Sequence, residues 1–263
     1  MIPNFYHSGE IGDILYGLKA LSRMPKANFY THPSLQLDWS NLLFAHSNKQ
    51  ISHKEFVFVK RLLDRQPYIN EAAYGVPNTI DYNLNYFRHE IFNRTDVNFS
   101  DLYLEVCNIR SNKEDCYTPW LFCDIKQERP ITAIRVSRRT NESFPWKQIV
   151  QKYKNEIIFL GTKSEYLEFV EYTGKLVAWK NYTDLLSVCE VINGAKLHIG
   201  NSTSISVCAE GLKKPMIFEE SHDVGHVRYH THRFYRSNRV NVGPEDNDVD
   251  MIMEKISTFV GNR

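Results

Sequence analysis

Nothing in this chain favours one sign of charge. Its 263 residues carry 32 Lys and Arg against 31 Asp and Glu, for a net charge of +1. A whole-surface attraction to nucleic acid or to an anionic membrane is therefore excluded, and any basic site has to be local. Long apolar runs are missing as well: no stretch reaches the roughly 18 apolar residues of a membrane span, and no basic-then-apolar leader opens the chain. Cysteine is sparse. Cys107, Cys116, Cys123, Cys189 and Cys208 are odd in number and contain no CxxC pair. That pattern excludes a disulfide scaffold and a CxxC zinc site, and it predicts reduced thiols in a cytoplasmic protein. Internal repeats and low-complexity segments are also absent.

What is present is alternation. Hydrophobic residues at 42% and charged residues at 24% provide for an ordinary folded core, over a length that suits two domains. Strands are predicted at Ile2 to His7, Ala27 to Thr31, Ile131 to Val136, Ile157 to Leu160, Leu176 to Trp179 and Val240 to Val242. Helical stripes lie between them. Two capping boxes, Ser52-x-x-Glu55 and Thr162-x-x-Glu165, mark helix starts. Ser100 is expected to cap another helix through Cys107, and Gly194 is expected as a C′ glycine. Residues 70 to 100, rich in Asn, Tyr and Asp, read as loop with short pieces. The polar stretch Asp124 to Pro130 marks a boundary between an N-terminal domain, 1–125, and a C-terminal domain, 126–263. Strands alternating with helices imply an α/β fold with parallel sheets.

Two strand-to-helix turns stand out. The first, Ser8-Gly9-Glu10-Ile11-Gly12-Asp13, places two glycines where backbone can approach a ligand. Asp13 falls in the first turn of the following helix, where the dipole stabilises a carboxylate. It is either a helix-start residue or a functional acid. The second runs from Leu197-His198-Ile199-Gly200 through Asn201-Ser202-Thr203-Ser204 into a helix expected to bury Ile205, Cys208 and Leu212. A loop of small polar residues before a helix N-terminus reads either as an ordinary capped turn or as a phosphate site. In an open parallel sheet that position is also where ligands sit.

Both turns together resemble a known family. Gly9-Glu10-Ile11-Gly12-Asp13-Ile14-Leu15 is similar to the GxxGDxL opening of glycosyltransferase family 9, the ADP-heptose lipopolysaccharide heptosyltransferases. Ile199-Gly200-Asn201-Ser202-Thr203-Ser204 through Ala209-Glu210-Gly211-Leu212 to Pro215 resembles the family's IGNDSGxxHLAxALGxP motif. The resemblance implies a GT-B fold, two Rossmann-like domains with a nucleotide-sugar in the cleft between them. The N-terminal domain would be the acceptor side and the C-terminal domain the donor side. It also implies an inverting, metal-independent transferase that needs no cofactor besides its nucleotide-sugar co-substrate. Carried over by position, Asp13 matches the base; beside it, Gly12 is a candidate donor contact and Glu10 a candidate acceptor or anion contact. Asn201, Ser202, Thr203 and Ser204 match the donor-phosphate loop, and Glu210 matches a ribose-binding glutamate. Gly161 and Thr162 follow another strand that would edge the donor site. The chain departs from the motif at Ser202, where the family has Asp, and at Ser204 and Val207, where it has Gly and His. ADP-heptose is therefore not implied as the donor.

Arg138 and Arg139 follow the first strand of the C-terminal domain and are candidates to neutralise a departing diphosphate. Trp146 and Lys147 are secondary candidates, Trp146 also reading as core. Asp246-Asn247-Asp248 and Asp248-Val249-Asp250 mimic a metal-binding DxD but sit where a last helix begins. The segment 222–239 interleaves His, Arg and aromatics, with His226, Arg233 and Arg236 as candidate acceptor or anion contacts. It keeps open the alternative of a transferase acting on a hydroxymethylated DNA base, which would be flipped out of the duplex, while the altered Ser202 and Val207 keep open a non-catalytic nucleotide- or glycan-binding protein. The acceptor is thus a glycan or DNA, and the oligomeric state is left open.

Overall fold

Short β-branched and aromatic runs alternate with helices whose apolar residues recur three and four apart, and each such run becomes a strand of a parallel sheet. The computed structural model describes residues 1–33, 50–87, 98–221, 239–242 and 248–261. The chain divides into two units, Met1–Cys123 with Asp184–Leu186, and Asp124–Thr183 with Ser187–Arg263.

The first unit contains β1 (Asn4–Tyr6), α1 (Ile11–Leu21), β2 (Ala27–Thr31), α2 (His53–Arg65), β3 (Ile69–Tyr74), β4 (Tyr82–Asn83) and α3 (Phe99–Val106). Its strands are ordered β3-β2-β1-β4, all pairs parallel. Helix α1 buries Ile14, Leu15, Leu18 and Leu21; α2 buries Phe56, Val59, Leu62 and Leu63. The Ser52–Glu55 capping box is formed in both directions, with Ser52 Oγ accepting from Glu55 N at 3.2 Å and Ser52 N donating to Glu55 Oε2 at 2.8 Å. Lys19 of α1 forms a buried ion pair with Asp101 of α3.

Three expectations are corrected here. Among the described residues, the stretch read as loop with short pieces carries β3, which begins at Ile69, and β4; β3 is polar at Asn70 and Glu71, and β4 is two residues long, so neither shows an alternation to read. Helix α3 has Asn98 at its N-cap, and Ser100 lies inside it, fully buried and accepting from Lys19 Nζ at 3.4 Å. Gly194 is the last residue of its helix rather than a left-handed residue beyond it.

The second unit contains β5 (Ile131–Ile134), α4 (Trp146–Tyr153), β6 (Ile157–Phe159), α5 (Lys163–Thr173), β7 (Ala178–Trp179), α6 (Leu185–Gly194), β8 (Leu197–Gly200), α7 (Ser204–Gly211), β9 (Met216–Glu219), β10 (Arg239–Val242) and α8 (Val249–Val260). The first two residues of α6 count with the first unit. The parallel sheet has the order β10-β9-β8-β5-β6-β7. Read from the other end and renumbered from β5, this is 3-2-1-4-5-6, the doubly wound order of dinucleotide-binding sheets. Strands β5, β8 and β9 are buried at every position, as strands covered on both faces must be. Phe144, Trp146, Phe169 and Phe159 are in successive ring contact within the core of this unit.

All five cysteines are free thiols; Cys107, Cys189 and Cys208 are buried, and burial pushes the Cys107 thiol up to about 12. No helix among the described residues is long and apolar enough to cross a membrane.

The helix-end glycine yields a stability test. A Cβ on Gly194 would lie 2.1 Å from the carbonyl oxygen of Lys126. Gly to Ala in a helix normally gains roughly 1 kcal/mol. At Gly194 the sign reverses: Gly194→Ala is expected to lose roughly 1–3 kcal/mol through the forced backbone shift, read by urea denaturation.

Candidate functional site

In the second unit the crossovers on either side of β5 and β8 leave in opposite directions. The carboxyl ends of these two strands therefore form the crevice where such sheets bind ligands. Two loops meet there: Arg135 to Pro145 after β5, and Asn201 to Thr203 after β8. The fully buried Asn201 ties them together. Its Oδ1 accepts from Val136 N at 3.1 Å, and its Nδ2 donates to Val136 O at 3.0 Å and to Arg139 O at 2.9 Å. Arg139 returns the link, with Nη1 donating to Ser202 O and lying 3.4 Å from Ser202 Oγ.

Helix α7 starts immediately beyond. Thr203 caps it, its Oγ1 accepting from Ser206 N at 3.2 Å. The N–H groups of Ser204 and Ile205 have no partner within the helix and lie at its positive end, an arrangement suited to an anion. Gly200 allows the approach: a Cβ there would lie 2.5 Å from Ile134 Cγ2 and 2.9 Å from Ser206 Oγ. A buried polar chain supports the loop from below. Ser206 Oγ donates to Asn201 O at 2.7 Å, so it accepts from His198 Nε2–H at 3.2 Å, and His198 Nδ1 meets Thr132 Oγ1 at 3.0 Å.

The expected burial on α7 is corrected. Ser206 through Gly211 are buried, whereas Ile205 and Leu212 are only half-buried. Glu210 is among the buried residues, at 3% exposure, and so lies inside the helix packing. Arg138 is exposed on the 3-10 turn Ser137–Arg139. Thr162 caps α5 through its reciprocal box with Glu165, and the carbonyl of Gly161 accepts from Trp179 Nε1 at 2.9 Å. Trp146 is fully buried and Lys147 exposed. Asp248 is the N-cap of α8, accepting from Met251 N at 2.9 Å, with Asp250 in the first turn. His226, Arg233, Arg236 and Asp246 lie outside the described residues. Among the described residues, no three His, Cys, Asp or Glu side chains group as metal ligands.

The first unit repeats the device. Its strand order makes the ends of β1 and β4 the equivalent crevice. The fully buried Asn85, just after β4, accepts through Oδ1 from Ser8 N at 3.1 Å, two residues beyond β1. Val136 likewise lies two residues beyond β5. Gly9 N donates to His7 Nδ1 at 2.9 Å, which leaves Nε2–H of the neutral ring to donate to Tyr103 Oη at 3.0 Å. Asp13 lies in the first turn of α1, with Glu10 at the N-cap and Gly12 between them. A Cβ on Gly9 would come within 2.9 Å of Asp13 Oδ2, so the carboxylate folds back over the glycine.

One site residue was not anticipated. Glu219, fully buried at the end of β9, accepts from Asn141 N at 2.8 Å and from Trp146 Nε1 at 2.9 Å, with Arg135 Nε 3.9 Å away. The Arg135 guanidinium stacks 3.8 Å from the centre of the Tyr172 ring. Burial pushes the Glu219 carboxyl up to about 7, against the pull of its hydrogen bonds and of Arg135. Its only local signal was two acids, Glu219 and Glu220, directly after the apolar run Met216-Ile217-Phe218.

No protein-family model matches the chain, and no curated protein matches it in sequence. Solved structures do. The chain superposes on E. coli heptosyltransferase WaaC with ADP at a TM-score of 0.54 and 12% identity, over 98% of this chain and 99% of that one. A glycosyl transferase family 9 protein from Veillonella parvula matches with a TM-score of 0.56 and 10% identity, over 97% of this chain and 87% of its own. The iron-containing dodecameric glycosyltransferase TibC of enterotoxigenic E. coli matches at 0.52 and 13%, over 91% of this chain and 61% of its own. The fold is thus that of these glycosyltransferases. The resemblance to family 9 drawn from the two turns is met at the level of fold.

The buried carboxyl predicts a pH effect on stability. The folded value, about 7, lies above the ordinary 4.5, so the folded state holds this proton more tightly than the unfolded chain does. The contribution is full below about 4.5 and is lost as pH rises through about 7. It amounts to on the order of 3 kcal/mol. In urea unfolding at pH 5 and pH 8, wild type is expected to lose that much relative to Glu219→Gln. A difference that stays constant would contradict the raised value.

Proposed function

We propose that this chain is a glycosyltransferase that moves a sugar from a nucleotide-sugar donor to an acceptor hydroxyl, with inversion and without a metal ion. The observation that carries the reading is the crevice of the second unit, where Asn201 locks the arginine loop against the capped N-terminus of α7. Oriented N–H groups with Arg138 and Arg139 beside them form an electrostatic site for a diphosphate leaving group. The shared fold with glycosyltransferases supports the same reading.

In this reading the second unit holds the donor through Ser202, Thr203 and Ser204, with Gly161 and Thr162 at its margin. The first unit serves the acceptor. Asp13 takes the proton of the acceptor hydroxyl, and that oxygen attacks the anomeric carbon. The bond from that carbon to the diphosphate oxygen breaks, and the nucleoside diphosphate leaves with the electron pair toward the start of α7. Arg138, exposed on its turn, meets the charge that develops, whereas Arg139 shapes the loop through Ser202. One of the similar structures holds ADP and another holds ADP-D-β-D-heptose, so adenine nucleotide-sugars are the first donors to screen.

A donor that binds only the native state raises the melting temperature. Asp13→Ala is expected to keep the donor-induced shift and to lose about 10²–10⁴-fold in turnover, the range for a missing general base. Turnover near wild type would remove Asp13 from this role. Turnover of wild type is expected to survive EDTA; its loss, with restoration by an added divalent ion, would overturn the metal-free mechanism.

A further inference from the structure

The loop that carries Arg138 and Arg139 is held at three places. Asn201 holds its middle through Val136 and Arg139. Its two ends are held by one carboxylate, Glu219: Arg135 faces Oε1 at the start of the loop, and Asn141 N donates to the same oxygen near its finish. The other oxygen takes the indole N–H of Trp146, the first residue of α4. Glu219 also directly follows Phe218, which pairs with Gly200, so it stands one strand spacing from Asn201, where the phosphate loop begins. We propose that Glu219 is a positioning residue for anion binding at this crevice: its ionised carboxylate, by taking both N–H groups at once, sets the arginine loop in its binding shape. This rests on the donor-phosphate reading above.

The chemistry of the two ionisation states separates this role from a structural one. Ionised, Glu219 is an acceptor at both oxygens and meets two donors and a cation, which matches it fully. Protonated, one oxygen bears an O–H that needs its own acceptor and accepts more weakly. One end of the loop then loses its tie. Of the groups around it, Arg135 is the charged one that acts on Glu219; Arg135 in turn stacks on the Tyr172 ring, which also has Lys147 Nζ 5.3 Å from its centre. Glu220, also buried, is next in the chain. Arginine and lysine keep their charge across neutral pH, and the carboxyl of Glu219, pushed up to about 7, changes there. A buried negative charge acting only through its field would repel an anion, so binding would tighten on acidification. A positioning carboxylate gives the opposite sign, because acidification undoes the loop.

Inorganic sulfate is a suitable probe, since it stays a dianion from pH 5.5 to 8.5 and brings no titration of its own. The experiment titrates sulfate into the full chain across that range by NMR and follows the Trp146 indole N–H, assigned with Trp146→Phe. Wild type is expected to bind about tenfold more weakly at the acid end, the size of one lost charge-assisted contact, with a midpoint that coincides with the movement of the indole signal. Glu219→Gln, permanently neutral and of the same shape, is expected to bind equally weakly at all pH values and to converge with wild type at pH 5.5. Tighter binding by wild type at low pH, or an unchanged pH profile in Glu219→Gln, overturns the positioning role and leaves the anion site standing. Absence of sulfate binding at every pH overturns the anion site itself, and the proposal with it. If Glu219→Gln does not fold, the direction of the wild-type profile and the coincidence of the two midpoints still decide.

Discussion

Adjacent parallel strands whose crossovers depart in opposite directions leave an unpaired strip of main chain at their carboxyl ends. Those N–H and C=O groups are buried, and each one without a partner costs about as much as a lost hydrogen bond. Both units meet this constraint with one side-chain amide. Asn201 serves the crevice between β5 and β8, and Asn85 serves the one between β1 and β4. In each case Oδ1 takes the N–H two residues past the unit's first strand. Asn carries an acceptor and donors on one short planar group, so it can stitch two loops where a carboxylate or an ammonium would satisfy only half of the strip. The course of the arginine loop, the contact from Arg139 to Ser202 and the open start of α7 all depend on this stitch in the second unit.

Local signals sufficed wherever structure is made locally. The two capping boxes are side-chain and main-chain bonds spanning three residues, and both form as the sequence implies. The strand-to-helix turns at Gly9 and Gly200 were legible because a small residue and a new apolar period coincide. What stayed hidden is settled across the chain. Strands β3 and β4 exist because β2 and β1 offer them open edges, not because their own residues alternate. Gly194 ends its helix without a left-handed turn because the carbonyl of Lys126 crosses close by, a contact 68 residues distant in the sequence. His198 reads as a polar interruption in a strand until Thr132 and Ser206 appear on either side of it.

The departures from the resembled motif acquire a physical setting in the same way. Ser202 lies against Arg139, to which it presents a carbonyl and a hydroxyl rather than a carboxylate. The neutral oxygen brings no charge of its own to the loop, so the positive end of α7 and the arginines are not offset from within position 202. Val207 is buried at 6% exposure and packs as part of the helix. A polar side chain there would have to find a partner in the interior. Position 202 therefore tunes the field at the crevice, while position 207 has been absorbed into the core.

Glu219 is the costly element of the second unit. A fully buried carboxyl with a raised value destabilises the fold once it ionises, and Trp146, Asn141 and Arg135 only partly offset that cost. A hydrophobic residue at the end of β9 would leave Asn141 N and the Trp146 indole N–H without acceptors, so an apolar substitution there exchanges one cost for another. Stability alone would be served as well by a neutral acceptor that spared the interior a charge. What the carboxylate adds over any neutral group is two equivalent acceptors on one rigid plane, one facing both Arg135 and Asn141 N of the loop and the other the Trp146 indole just beyond it. That geometry restrains the path of the loop more than it strengthens the fold, and the loop it restrains is the one that carries the arginines into the crevice.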